Sequence, residues 1–117
     1  MARFTRRQRL QEPAEFRYVF DDPVRAGDRL VTVLGRANGR DYARLGLAVA
    51  RRRIARAVGR NTFKRIVRES FRANHERLAG LDIVVLPKPG AADADRAALR
   101  ASIDRQWEVL RQRVVAR

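Results

Sequence analysis

Nine basic side chains lie between positions 51 and 72 (Arg51, Arg52, Arg53, Arg56, Arg60, Lys64, Arg65, Arg68 and Arg72), against one acid, Glu69. Arg60, Lys64, Arg68 and Arg72 recur every fourth residue, which on a helix makes them one ridge, with Phe63, Ile66, Val67 and Phe71 left to face a core. Like charges at that spacing repel by a few tenths of a kcal/mol per pair, and a merely solvated helix face alternates their sign. A ridge that does not alternate reads as a phosphate-binding surface. Asn61, flanked by Arg60 and followed one turn on by Lys64 and Arg65, adds an amide that donates to and accepts from a sugar or base edge.

The remaining reactive side chains do not assemble into a catalytic set. There is no cysteine, which removes disulfides, thiolate metal sites and thiol catalysis together. His75 is the one histidine and reads as a solvated helix residue. The carboxylates Asp21, Asp22, Asp93 and Asp95 stand where helices stop or start, so capping is expected of them rather than magnesium binding. No catalytic residue and no protein-held metal or cofactor is expected, which disfavours a nuclease made of protein alone.

The net charge of +14 on 117 residues exceeds what solubility needs and points to a polyanionic partner. Of the 27 basic residues all but Lys64 and Lys88 are arginine, whose planar fork makes bidentate phosphate contacts and stacks on bases. An anionic lipid surface is the competing partner. The basic positions are interleaved with a full set of core and strand signals, which favours RNA, and no apolar run is long enough for a bilayer. Neither a membrane partner nor a small-molecule substrate is expected, and the absence of cysteine and of a secretion signal fits the cytoplasm.

The elements that must position the ridge follow from periodicity. Residues 1–10 read as a basic arm on a single domain spanning 1–117. Pro13 opens a short helix with Phe16, Val19 and Phe20 at i, i+3 and i+4, stopped by Asp21, Asp22 and Pro23. A strand follows from Leu30 to Leu34, preceded by a possible short one near Val24, and Asn38-Gly39 is a hairpin signal. Leu45, Leu47 and Val49 alternate as a half-buried strand, expected to pair antiparallel with its predecessor. A helix from Ala57 to Leu78, a strand at Asp82–Leu86, and a last helix capped by Asp93 or Asp95 complete the chain. In that last helix Leu99, Ile103, Trp107, Leu110 and Val114 mark the packed side, so Trp107 is read as core. The class is α+β, a sheet with helices packed on it.

The stretch Arg60-Asn61-Thr62-Phe63-Lys64-Arg65-Ile66-Val67-Arg68-Glu69-Ser70-Phe71-Arg72 resembles the basic signature helix of the bacterial ribonuclease P protein subunit. Arg44 to Arg52 is similar to the family's strand ending in a basic pair, Glu15 to Phe20 to its aromatic first helix, and Asp82 to Val85 to its last strand. The resemblance covers most of residues 4–110.

It implies a ribosomal protein S5 domain 2-like fold: a mostly antiparallel central sheet with one left-handed βαβ crossover. It also implies an accessory subunit of a ribonucleoprotein endonuclease, in which the catalytic RNA, with magnesium, removes the 5′ leader of precursor tRNA. The implied surfaces are an RNA-subunit site at Arg51, Arg52, Arg56, Arg60, Asn61, Lys64, Arg65, Arg68 and Arg72, and a leader cleft at Phe16, Phe20 and Val33. Two positions depart from the family pattern: Thr62 where many members carry a second motif arginine, and Val33 where relatives are often aromatic. The alternative function is a stand-alone RNA-binding or ribosomal accessory protein, and the RNA that copurifies from cells separates the two.

Overall fold

The computed structural model describes residues 5–117. Three helices, α1 (Pro13–Asp21), α2 (Ala57–Asn74) and α3 (Arg96–Ala116), pack on a four-stranded sheet of β1 (Val24–Gly27), β2 (Val31–Ala37), β3 (Arg44–Leu47) and β4 (Leu81–Pro87). The sheet order is β1-β2-β4-β3, antiparallel except for the β3–β4 pair, which is the parallel pair joined through α2. The α+β class and the crossover expected of the sequence are both present. No described helix is long and apolar enough to cross a membrane.

One expected pairing is overturned. β2 and β3 run antiparallel but are not neighbours, because β4 lies between them. Leu81 to Val85 is buried at every position, so this strand needs cover on both faces and a partner on both edges, and it takes the central place. The segment after β2 steps over one strand, a distance of about 10 Å at the usual spacing. Asn38-Gly39 therefore starts a wrap around the end of β4 instead of a tight hairpin. The Asn38 amide donates to Tyr42 O at 3.2 Å and to Asp82 Oδ1 at 2.9 Å, and Gly39 sits at φ +69°, which favours glycine. β2 pairs instead with β1, the short strand suspected near Val24.

The strand period of two divides the sheet into two faces. Val31 and Val33 of β2, Leu45 of β3, and Ile83 and Val85 of β4 face α2 and α3, forming the main core with Phe63, Val67, Phe71, Leu78, Ile103, Trp107 and Leu110. Trp107, fully buried as expected, donates from Nε1 to Ser70 Oγ at 2.7 Å and sits edge-on to Phe71, with ring centroids 6.2 Å apart. Ser70 in turn donates to Asp104, which fixes α2 against α3. Asp95, not Asp93, caps α3, accepting from Ala98 N at 2.7 Å.

The opposite face carries α1 and a smaller core of Leu10, Val19, Leu34 and Val84, with Phe16, Ala48 and Leu86 half-buried against it. α1 sits close to the sheet because position 46 is glycine: a Cβ there would lie 2.6 Å from Phe16 Cε1. Residues 1–4 of the expected basic arm lie outside the described residues. The rest of it is not an arm. Arg6–Gln8 form a 3-10 turn, Leu10 is buried, and Leu10 N donates to Leu45 O at 3.0 Å, with Arg9 bridged to Leu45 at the open edge of β3.

Candidate nucleic-acid interface

On α2 the buried positions Phe63, Ile66, Val67, Ser70 and Phe71 share one side, as the periodicity required. The basic ridge is displaced from the expected one. A row of fourth residues is inclined to the helix axis, drifting by about 40° per step because each residue turns the helix by about 100°. Arg60 therefore starts the row near the packed side, and Arg72 ends it facing outward. Asn61, Arg65, Arg68 and Arg72 are the four that converge, and with Arg9 they line a cavity of about 410 Å³. Arg9 arrives from the docked N-terminal segment, which local sequence gave no reason to place beside α2.

Arg60 is spent on the fold. Its Nη1 donates to Ile54 O at 3.1 Å and Ala55 O at 2.6 Å, clamping the loop that enters α2. Arg51, Arg52 and Arg56 are exposed on that loop, which buried Ile54 anchors to the core, and Lys64 is half-buried on the flank of α2. Thr62 lies on the other flank, in a groove shared with Phe63, Ile66 and residues 91–96, so it does not reach the arginine cavity.

None of the seven ion pairs among the described residues involves Arg51, Arg52, Arg56, Arg60, Lys64, Arg65, Arg68 or Arg72. Glu69 is exposed on the same helix and neutralises none of them. Arg68 Nε is buried with no hydrogen-bond partner among the described residues. Burial, and secondarily the charge of Arg9, push the Arg68 pKa below its ordinary value, although a guanidinium stays protonated at any physiological pH. A buried donor without an acceptor costs about 1–3 kcal/mol, and an anion entering the cavity would relieve that cost.

Of the second expected surface, two residues share a flank of α1 and the third does not. Phe16 and Phe20 stand one turn apart on α1, on the flank away from Glu15 and Tyr18, with buried Val19 between the two flanks. Phe20 is 44% exposed, and Phe16 is half-buried. Val33 does not join them. It is fully buried in the main core on the far side of the sheet, so it is removed from the cleft set. The β2 positions on the α1 side are Thr32, Leu34 and Arg36; Leu34 is buried, while Thr32 and its β4 partner Leu86 are only partly covered.

Sequence reasoning did not find the charged cluster beside α1. Asp82, 1% exposed, accepts from Arg44 Nε at 2.8 Å and Nη2 at 2.7 Å, while Arg44 Nη1 reaches Glu15 at 2.6 Å. The Asp82 bonds, foremost, raise the Arg44 pKa above its ordinary value. Its signal in the sequence was one charged residue at or next to the start of each of two strands, which alone names no partner. His75 was also misread: it is half-buried after α2, with Nδ1 3.4 Å from Gln8 Nε2, rather than solvated. No group of three or more His, Cys, Asp or Glu among the described residues is arranged to hold a metal ion.

Glu15 also accepts from the backbone N–H groups of Glu12 (2.8 Å) and Gln11 (2.7 Å), which, helped by Arg44, hold its pKa below the usual 4.5. A depressed carboxyl stabilises the fold fully above its unfolded pKa, and that contribution fades as pH falls through the folded value. Thermal melts taken from about pH 6 to about pH 3 should therefore lose stability below about pH 4.5, and Glu15→Gln should start lower and fall less. Parallel curves for the two proteins would remove Glu15 from this account.

A family model described as Ribonuclease P matches residues 4–111. Proteins named ribonuclease P protein component are similar to the chain: one from Salmonella paratyphi A is 44% identical over 104 residues, covering 89% of this chain and 87% of the relative. Another, from Methylococcus capsulatus, is 43% identical over 110 residues, covering 94% and 86%. Among solved structures, the RNase P protein from Thermotoga maritima has a TM-score of 0.74 at 33% identity, covering 89% of this chain and 96% of that one. The Staphylococcus aureus RNase P protein has a TM-score of 0.81 at 25% identity, covering 87% and 94%. With the same sequence signature, the same fold and a match over nearly its whole length, the chain belongs to the ribonuclease P protein family.

Proposed function

We propose that the chain is the RNA-binding protein subunit of a ribonuclease P ribonucleoprotein, acting in the cytoplasm on precursor tRNA. The observation that carries this reading is the convergence of Asn61, Arg65, Arg68 and Arg72 of α2, with Arg9 from the N-terminal segment, on one cavity, where the α2 basic residues have no acidic partner among the described residues. This face, with exposed Arg51, Arg52 and Arg56 beside it and Lys64 on its flank, binds the phosphates of the RNA subunit. Arg60 supports it from behind by holding the entering loop.

The 5′ leader lies on the other side of the sheet, beside α1. Phe20, and in part Phe16, offer ring faces to unpaired bases, over a floor that includes Thr32 and Leu86. Hydrolysis belongs to the RNA subunit and its magnesium. The protein raises the local concentration of substrate and distinguishes precursor from product by holding the leader.

The test is reconstitution. Purified protein freed of RNA should cleave no precursor tRNA, and adding a bacterial ribonuclease P RNA with magnesium should release the leader; turnover by the RNA-free protein overturns the reading. In the reconstituted enzyme Phe20→Ala should weaken precursor binding by about five- to a hundredfold, the range of one base-on-aromatic stack, and leave mature tRNA unaffected. Because Phe20 is exposed, the variant should melt like the wild type, so a folded Phe20→Ala protein that binds precursor normally would refute the leader site.

A further inference from the structure

The α2 face does not end at Arg9. Arg9 lines both the α2 cavity and a second one, of about 420 Å³, shared with Tyr42, where Arg6, Arg7 and Arg44 outweigh the carboxylates of Glu12 and Glu15 in charge. Arg44 in turn lines a third, of about 360 Å³, with Tyr18 and Arg40; Glu15 and Asp82 also line it and are paired with Arg44, so Arg40 is its unpaired cation among the described residues. The three run end to end around the open edge of β3, from α2 to the Tyr18 flank of α1, which is not the flank that carries Phe16 and Phe20.

Two tyrosine rings stand on this path, each already covered by a guanidinium. Arg7 lies 4.2 Å and Arg40 5.8 Å from the Tyr42 ring centroid, and Arg36 lies 4.0 Å from that of Tyr18. None of these three arginines forms an ion pair among the described residues, although Asp41 is exposed beside Tyr42. Two cations sharing one ring repel each other, which a purely structural contact would avoid and an approaching phosphate would relieve. The Tyr42 side chain, half-buried, takes little part in the hydrogen bonds that hold its segment. The bonds that hold its segment, from Gly80 N at 3.3 Å and Asn38 Nδ2 at 3.2 Å, go to its backbone oxygen, and among the described residues its hydroxyl accepts from Arg40, at 3.2 Å.

From this continuity we infer that the β3 edge prolongs the α2 contact, and that Tyr42, with Arg7 and Arg40, takes an unpaired base and its flanking phosphates from the RNA bound on α2. The inference rests on the reading of α2 as the RNA-subunit face. The base stacks on the exposed part of the Tyr42 ring, and the two guanidiniums turn from the ring to the phosphates on either side.

Binding of a folded bacterial ribonuclease P RNA should be measured for Tyr42→Ala, Tyr42→Phe, the pair Arg7→Ala with Arg40→Ala, and an α2 variant lacking Arg65, Arg68 and Arg72. Tyr42→Ala should lose about five- to a hundredfold in affinity, while Tyr42→Phe, which keeps the ring, binds like the wild type. The Arg7 and Arg40 pair should lower the slope of log affinity against log salt by about 1.4 to 1.8. If the α2 variant loses RNA while Tyr42→Ala binds normally, the prolonged track is wrong and the α2 reading survives. If Tyr42→Ala weakens only the capture of leader-bearing substrate by the assembled enzyme, the residue serves the leader and the inference is wrong. If neither variant weakens binding, the α2 reading fails as well.

Discussion

Replacing Arg65, Arg68 and Arg72 together by alanine is expected to lower affinity for a bacterial ribonuclease P RNA by about a hundred- to a thousandfold, the loss of three solvent-screened phosphate contacts worth a net of about 1 to 1.5 kcal/mol each. All three line the same cavity and none is tied to an acid among the described residues, so the folded protein should survive the change. Removing three phosphate contacts should also flatten the salt dependence, by about 2.1 to 2.7 in the slope of log affinity against log salt. Arg60→Ala should behave differently. Its guanidinium holds Ile54 O and Ala55 O, so the first effect is a lower melting temperature, with a salt slope close to that of the wild type. Titrations at several salt concentrations separate a residue that touches phosphate from one that supports the loop. A triple variant with unchanged slope would show that this ridge is not the RNA contact.

The difference between Arg60 and Arg65 illustrates what the sequence made legible. The residue types and the fourth-residue repeat identified α2 and its packed side correctly, because Phe63, Val67 and Phe71 obey one helical period. Which basic residues converge depends on the drift of that repeat around the axis and on what approaches from elsewhere. Arg9 reaches α2 from a segment docked on β3 through the Leu10 N bond and the Arg9–Leu45 bridge, contacts set by tertiary packing. Strand order was hidden for the same reason. Asn38-Gly39 is a sound local turn signal, but the burial demand of β4 on both faces outweighed it.

Val33 shows a further limit. Val31, Val33, Leu34 and Gly35 are all buried, so apolar character alone could not say which of them faced α1. A shift of one residue in a strand exchanges the faces, and it separates Val33 in the main core from Leu34 under α1. The aromatic positions were safer because α1 is amphipathic: Val19 is buried and Phe20 is not.

The cluster that no local pattern revealed should have the largest effect on stability. Asp82→Ala is expected to cost about 3–5 kcal/mol, because it leaves the Arg44 guanidinium, 13% exposed, without its bidentate partner. Against a total of about 5–15 kcal/mol for a domain of this size, that is a large share, and the melting temperature should fall by on the order of 10–20 °C. Asn38 loses an acceptor in the same step, which loosens the wrap around the end of β4. Glu15 then remains the one anion on Arg44 among the described residues, and α1 keeps its tie to β3 but loses the link that Arg44 carries on to β4. Removing both charges should cost less than removing one. Asp82→Leu combined with Arg44→Met leaves no buried cation, so the double variant should melt well above Asp82→Ala. Because Arg44 joins α1 to β4, the single variant should also bind leader-bearing substrate less well at temperatures where it is still folded, even though Phe20 is intact. An Asp82→Ala protein that melts within a few degrees of the wild type would show that the cluster does not hold α1 in place, and that the packing of Val19 and Phe16 on the sheet is enough.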